Sequence, residues 1–77
     1  MTFGEVLRHL RKKKRWTQNE TARRAGLHIN TYPLIERDEV NTKLDTVFKL
    51  ASAFEVRPEI IIAAMDREIP KEGRQRA

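Results

Sequence analysis

The sequence predicts an all-α fold of five short helices, and three observations carry that prediction. No segment alternates apolar and polar residues with the period of two that a strand face requires. Apolar residues recur instead at helical spacing, as Phe3, Val6, Leu7 and Leu10 and again as Leu44, Val47, Phe48, Ala51 and Phe54. Between these runs stand capping and turn residues at the offsets that start and stop helices. Seventy-seven residues leave room for one compact domain with a single core. Residues 1–69 are expected to form it. Residues 70–77 lack an apolar pattern and are expected to be a disordered tail.

The first helix is predicted from about residue 2 to residue 14. Arg11, Lys12, Lys13 and Lys14 fall in its last turn, where cations complement the carboxyl end of the helix dipole. Thr17-Gln18-Asn19-Glu20 is a capping box: the Thr17 hydroxyl accepts from the Glu20 N–H and the Glu20 carboxylate reaches back to the Thr17 N–H. A second helix therefore starts at Gln18, and Gly26 ends it after about two turns. Leu27 to Thr31 lead into a third helix ending near Arg37. Pro33 has no N–H, crowds the carbonyl at Ile29 and pushes Tyr32 away from helical angles. The third helix is thus expected to have a distorted first turn or to shrink to a stub. Thr42 and Asp45 form a weaker T-x-x-D start for a fourth helix, and Arg57-Pro58-Glu59 opens a fifth with proline in the first turn.

Charge and composition narrow the function. The formal net charge is +5. Eight basic residues lie between positions 8 and 24 against Glu20 alone, while residues 25–35 carry no charge. Such a block fits a polyanion partner or a solvated helix face. With no cysteine there is no disulfide or thiolate metal site, and His9 and His28 alone cannot hold a metal. No metal or other cofactor is expected. Ile60 to Met65, six residues, is the longest apolar run, too short for a membrane span. A cytoplasmic protein with no membrane partner is the expectation. Ser52 is the only serine, and no phosphate loop or paired carboxylate site is present, so an enzyme is the weakest reading.

A capped short helix, a glycine turn and a second short helix make a helix-turn-helix. The residues Thr17-Gln18, Ala22, Ala25-Gly26-Leu27, Ile35-Glu36-Arg37, Leu44, Thr46, Leu50-Ala51, Ala53 and Val56 resemble the phage repressor and Cro type of DNA-binding domain, the XRE-like regulators, over residues 3–62. The resemblance implies a lambda-repressor-like domain of five packed helices. The second helix would cross the DNA backbone and the third would enter the major groove of double-stranded DNA. It further implies that Thr17 and Gln18 start the helix at the groove edge. His28, Ile29, Asn30, Thr31 and Leu34 would lead the reading segment, with Arg37, Asn41 and Lys43 near phosphate. Glu36 would pair with Arg11 on the first helix, tying the reading helix to the scaffold beside the DNA.

The residue chemistry is uneven across these positions. Asn30 can bond bidentately to an adenine edge or satisfy a local N–H. Gln18 can hold phosphate. Thr31 offers a hydroxyl or methyl contact, or is plain surface, and His28 is a poor cap that contacts phosphate or stands exposed. Ile29 and Leu34 offer only apolar contact to a thymine methyl. Tyr32 and Ile35 should face the core and Trp16 should buttress the first helix. Asp38 and Glu39 stand where glycine and basic or neutral residues are frequent, placing negative charge toward DNA; Thr21 stands at a leucine-like core position.

The fifth helix is apolar on every side, and a single small domain covers one face. Ile60, Ile61, Ile62 and Met65 are therefore expected to meet a second copy, though a helix sunk in its own core with a few exposed isoleucines is the plain alternative. A two-fold homodimer would set two reading helices about 34 Å apart, matching a palindromic operator. The function expected is a dimeric, sequence-specific transcriptional regulator. A second reading keeps the scaffold but uses Ile29, Pro33 and Leu34 to bind a protein, as an antitoxin-like or co-regulator module.

Overall fold

The computed structural model describes residues 1–65, in the order α1 (Phe3–Lys14), α2 (Gln18–Ala25), α3 (Tyr32–Glu36), α4 (Leu44–Phe54) and α5 (Pro58–Met65). No strand occurs among the described residues. The boundary expected at residue 69 and the tail from residue 70 lie outside them.

Helix starts follow the capping residues only in part. Thr2 and Glu5 form a complete box before α1, the Thr2 hydroxyl accepting from the Glu5 N–H at 3.2 Å and the Glu5 carboxylate from the Thr2 N–H at 2.9 Å. At Thr17 the box is half formed. The hydroxyl accepts from the Glu20 N–H at 3.0 Å, but the carboxylate turns to Arg23 and Arg24, each at 2.6 Å, because guanidinium donors one turn on outcompete a neutral amide. Thr42 caps nothing: α4 starts after Lys43 with no side-chain cap.

Four helices end in one way, with a residue in the left-handed region whose successor donates five residues back, the Schellman arrangement. The left-handed residues are Arg15, Gly26, Asp38 and Glu55, with φ of 62°, 71°, 60° and 60°. The closing bonds run from Trp16 N to Arg11 O, Leu27 N to Ala22 O, Glu39 N to Leu34 O and Val56 N to Ala51 O, at 2.8–3.2 Å. Only one of the four is glycine. Trp16, Leu27 and Val56 then pack against the core and pin their exits, whereas Glu39 is exposed.

α1 packs on α3, α4 and α5, while α2 packs on α3 and α4. The buried core comprises Val6 and Leu7 from α1, Ala22 and Ala25 from α2, Tyr32 and Ile35 from α3, Leu50, Ala51 and Phe54 from α4, and Ile61 from α5. α4 turns differently from the expected face: Leu44 and Phe48 are 61% and 50% exposed, and Leu50 replaces them inside. The helix is apolar on two sides, so periodicity alone did not select the buried one. In α5 Ile61 is fully buried in its own domain, which removes it from any interface between copies, while Ile60 and Ile62 stay half exposed. Thr21 is fully buried, and its hydroxyl donates to the Thr17 carbonyl at 2.9 Å, which satisfies it at a core position.

Candidate nucleic-acid interface

Glu36, at the end of α3, organises the site. Its side chain is 1% exposed and accepts from four groups on three helices. Arg11 Nε and Nη2 approach its two oxygens at 2.7 and 3.1 Å, Gln18 Nε2 lies at 3.1 Å and the Tyr32 hydroxyl at 2.6 Å. Arg8, half exposed, stands 3.6 Å away. Arg11 also donates to the Trp16 carbonyl at 3.0 Å, which ties in the α1–α2 corner. Burial pushes the Glu36 carboxyl up, but hydrogen bonds from Arg11, Tyr32 and Gln18 outweigh it and hold the group below the usual glutamate range. The same carboxylate raises Arg11. Burial first, then the hydrogen bond to Glu36, drives the Tyr32 hydroxyl far above its ordinary value. A short helix with no side-chain cap is thereby clamped to α1 and α2.

The segment before α3 is a turn, as Pro33 requires. The His28 carbonyl accepts from both Thr31 N (3.0 Å) and Tyr32 N (3.2 Å), and the Thr31 carbonyl accepts from Leu34 N and Ile35 N at 3.1 and 3.2 Å. Pro33 thus occupies the second position of α3, where its missing N–H costs nothing. His28 does not cap α3; its Nδ1 accepts from the Asn30 N–H at 3.1 Å inside the turn. With Nδ1 accepting, Nε2 carries the proton of the neutral ring and is a donor. His28, Ile29, Asn30 and Thr31 are all exposed on this uncharged turn, and the Asn30 carboxamide bonds to no protein group among the described residues.

The helix-turn-helix family profile matches residues 7–61. The chain belongs to the XRE-type helix-turn-helix family of DNA-binding regulators. Its fold is similar to that of the restriction-modification controller protein C.AhdI from Aeromonas hydrophila, with a TM-score of 0.75 and 34% sequence identity over 77% of this chain and 89% of that one. No curated protein matches the sequence. Among the described residues no helix is long and apolar enough to cross a membrane.

Within this XRE-type domain the expected site residues separate into groups. His28, Ile29, Asn30 and Thr31 share one exposed turn, and Asn41 and Lys43 are exposed on the loop before α4. Thr17 is exposed but its oxygen is engaged by the Glu20 N–H. Gln18 is half-buried and its amide nitrogen is bound to Glu36, leaving its carbonyl oxygen and the helix start. Arg11 has its side chain 15% exposed and locked on Glu36, where it ties α3 to α1. Arg37 pairs with Glu39 at 3.0 Å, which neutralises both. Leu34 and Pro33 are half-buried beside the exposed Ile29, and Leu34 lines a groove with Leu27, Ile35 and Val40.

Two expectations about charge change. Asp38, though exposed, is not a free negative charge: its carboxylate accepts from the Thr2 hydroxyl at 2.6 Å and the Gly4 N–H at 2.9 Å. The basic block is also partly spent, since Arg23 and Arg24 bind Glu20 and Lys14 lies 3.4 Å from Glu55. Among the described residues no ion pair engages Lys12, Lys13 or Arg15, which precede the start of α2.

Proposed function

We propose that the chain is a sequence-specific transcriptional regulator that occupies an operator as a homodimer. The observation that carries this reading is the uncharged, exposed turn His28–Thr31, held against the scaffold by a buried carboxylate that joins three helices. Rigid presentation of a free carboxamide is what base readout requires. Asn30 reads an adenine edge, Ile29 and the Thr31 methyl meet thymine methyls, and His28 donates to phosphate. Asn41, Lys43, the start of α2 at Thr17 and Gln18, and the unpaired Lys12, Lys13 and Arg15 supply backbone contacts that set register and affinity. Leu34 supports the turn from behind, and Arg37 reaches phosphate by exchanging Glu39 for it. The likeness to a restriction-modification controller supports a regulatory role.

The second copy would seat on a groove whose apolar lining is Phe3, Val40, Leu44, Val47, Ile62 and Met65, with Asp38, Asn41 and Thr42 completing it. Phe48 extends it one turn along α4. Ile62 and Met65 belong to this surface; Ile60, turned about 200° from Ile62 around α5, flanks it on the other side of the buried Ile61. A two-fold axis through the groove brings like residues together, which its apolar majority tolerates, and Asp38, its one charged residue, has its carboxylate engaged by Thr2 and Gly4.

Binding of purified protein to duplexes selected from a random pool, followed by fluorescence anisotropy, tests the reading. A palindromic consensus, steep weakening with salt, and roughly 5- to 150-fold loss for Asn30→Ala at the site it reads are expected. Sedimentation should show a dimer that Leu44→Glu or Ile62→Glu converts to monomer. A flat salt response with no selected sequence defeats the DNA reading, and a wild-type monomer at operator-binding concentration defeats the dimer.

A further inference from the structure

The exit of α3 differs from the other three left-handed exits. After Arg15, Gly26 and Glu55 the next residue is Trp16, Leu27 or Val56, each packed on the core, and that apolar contact is what holds a Schellman exit in place. After Asp38 comes Glu39, exposed and paired only with its neighbour Arg37. The α3 exit therefore lacks the anchor its counterparts share, although the loop leaving it carries Asn41 and Lys43.

Another contact stands in that place. Asp38 Oδ1 takes the Gly4 N–H at 2.9 Å, and Oδ2 takes the Thr2 hydroxyl at 2.6 Å, across 34 and 36 residues of chain. Both donors belong to the start of α1, whose free N–H groups favour an anion. The approach is close enough to exclude any side chain at position 4: a Cβ there would lie 2.1 Å from the Glu36 carbonyl oxygen and 2.8 Å from Asp38 Oδ2. Asp38 meanwhile sits at φ 60°, a region that glycine enters freely and other residues enter at a cost. A residue kept in an unfavourable backbone conformation, with both carboxylate oxygens engaged by a distant element, is held there by what the side chain does.

We infer that Asp38 is a positioning residue for DNA binding: its clasp on Thr2 and Gly4 fixes the direction in which the 39–43 loop leaves α3, and so where Lys43 and Asn41 meet the DNA backbone. It touches no DNA itself. The inference rests on the operator-binding reading for its effect on affinity, and on the structure alone for its effect on the loop.

Asp38→Gly separates the two, because glycine suits the left-handed position and preserves the fold while deleting the clasp. In the free protein, trypsin should cleave Asp38→Gly after Arg37 and Lys43 at least ten times faster than wild type, with cleavage after Arg15 unchanged. On the selected duplex the variant should bind about 10-fold more weakly, with the slope of log K against log salt reduced by about one, the signature of one lost phosphate contact. Lys43→Ala should cost a similar factor in wild type and almost nothing in Asp38→Gly. Asp38→Asn, which keeps acceptor oxygen for Gly4 and tolerates the left-handed angle, should restore most of the affinity and protection. Unchanged cleavage at Lys43 in Asp38→Gly overturns the inference, as do additive losses for the two substitutions. If wild type binds no duplex, the operator reading falls, and the cleavage pattern alone decides whether Asp38 fixes the loop.

Discussion

Removing Glu36 should be the most damaging single change to this domain that leaves the apolar core intact. In Glu36→Ala the Arg11 guanidinium, 15% exposed, loses two of its three hydrogen bonds, and the Tyr32 hydroxyl, on a residue with no exposed surface, loses its acceptor. Breaking a buried pair from one side costs about 3–5 kcal/mol, because the surviving charge stays buried without compensation. A chain of 77 residues has a total stability of about 4–12 kcal/mol. The substitution therefore takes about a quarter of the stability at the least, and at the weak end of that range most or all of it. At about 4–8 °C per kcal/mol for a domain of this size, the midpoint should fall by roughly 12–40 °C. Urea unfolding followed by far-ultraviolet circular dichroism measures the loss directly. The companion variant replaces the three partners by apolar residues of similar size, Arg11→Met, Tyr32→Phe and Glu36→Leu, and should recover most of the stability, since no buried charge or hydroxyl is left over. A loss below about 1 kcal/mol for Glu36→Ala, or a triple variant as unstable as the sum of its single changes, would refute the argument.

Three further outcomes follow from the same geometry. Because hydrogen bonds hold the folded Glu36 carboxyl below its ordinary value, its contribution is complete above the usual glutamate range and disappears as pH falls through the folded value; urea midpoints taken from pH 7 downward should show this acid loss, and Glu36→Gln should flatten it. Glu55→Gly relieves a left-handed residue at φ 60° and gives up an exposed pair with Lys14, so thermal unfolding should show a gain of about 1 kcal/mol, and an equal or lower midpoint would contradict the strain assigned to that exit. Gly4→Ala must push the start of α1 off the Glu36 carbonyl and should cost about 1–3 kcal/mol by the same measurement, with no loss meaning that the close approach is not maintained in solution.

The sequence carried the local part of this architecture well. The start of α2 at Gln18 and its end at Gly26 followed from residues within one turn of the boundary, and the shrinking of α3 to a stub followed from Pro33, although Tyr32, expected to leave helical angles, is the first residue of that helix. The T-x-x-E box at Thr2–Glu5 was equally local and was there to be read. The pairing of Arg11 with Glu36 came from family likeness, since 25 residues separate them and no spacing rule joins them. What escaped had tertiary causes. Which of three consecutive isoleucines enters the core depends on where α1 and α4 lie against α5. Asp38 reads from sequence as a stray negative charge, because its partners Thr2 and Gly4 are at the far end of the chain. That the Gln18 amide nitrogen is taken by the same Glu36 carboxylate shows only once three helices are assembled.

Trp16 gives the protein an internal gauge. It is the only tryptophan, its ring lies 5.6 Å from that of Phe54 in a stacked pair, and the Arg24 guanidinium and Lys14 ammonium lie over it at 4.4 and 5.7 Å. One indole thus joins α2 to α4, with a cation from one over it and a ring from the other stacked on it. Its emission colour and quenching respond to any change in the spacing of those two helices. An unlabelled sample therefore distinguishes a tilt of α2 on binding DNA, which would move the colour while leaving helix content untouched, from unfolding, which would move both. The domain reports its own docking through a side chain that stands away from the reading turn.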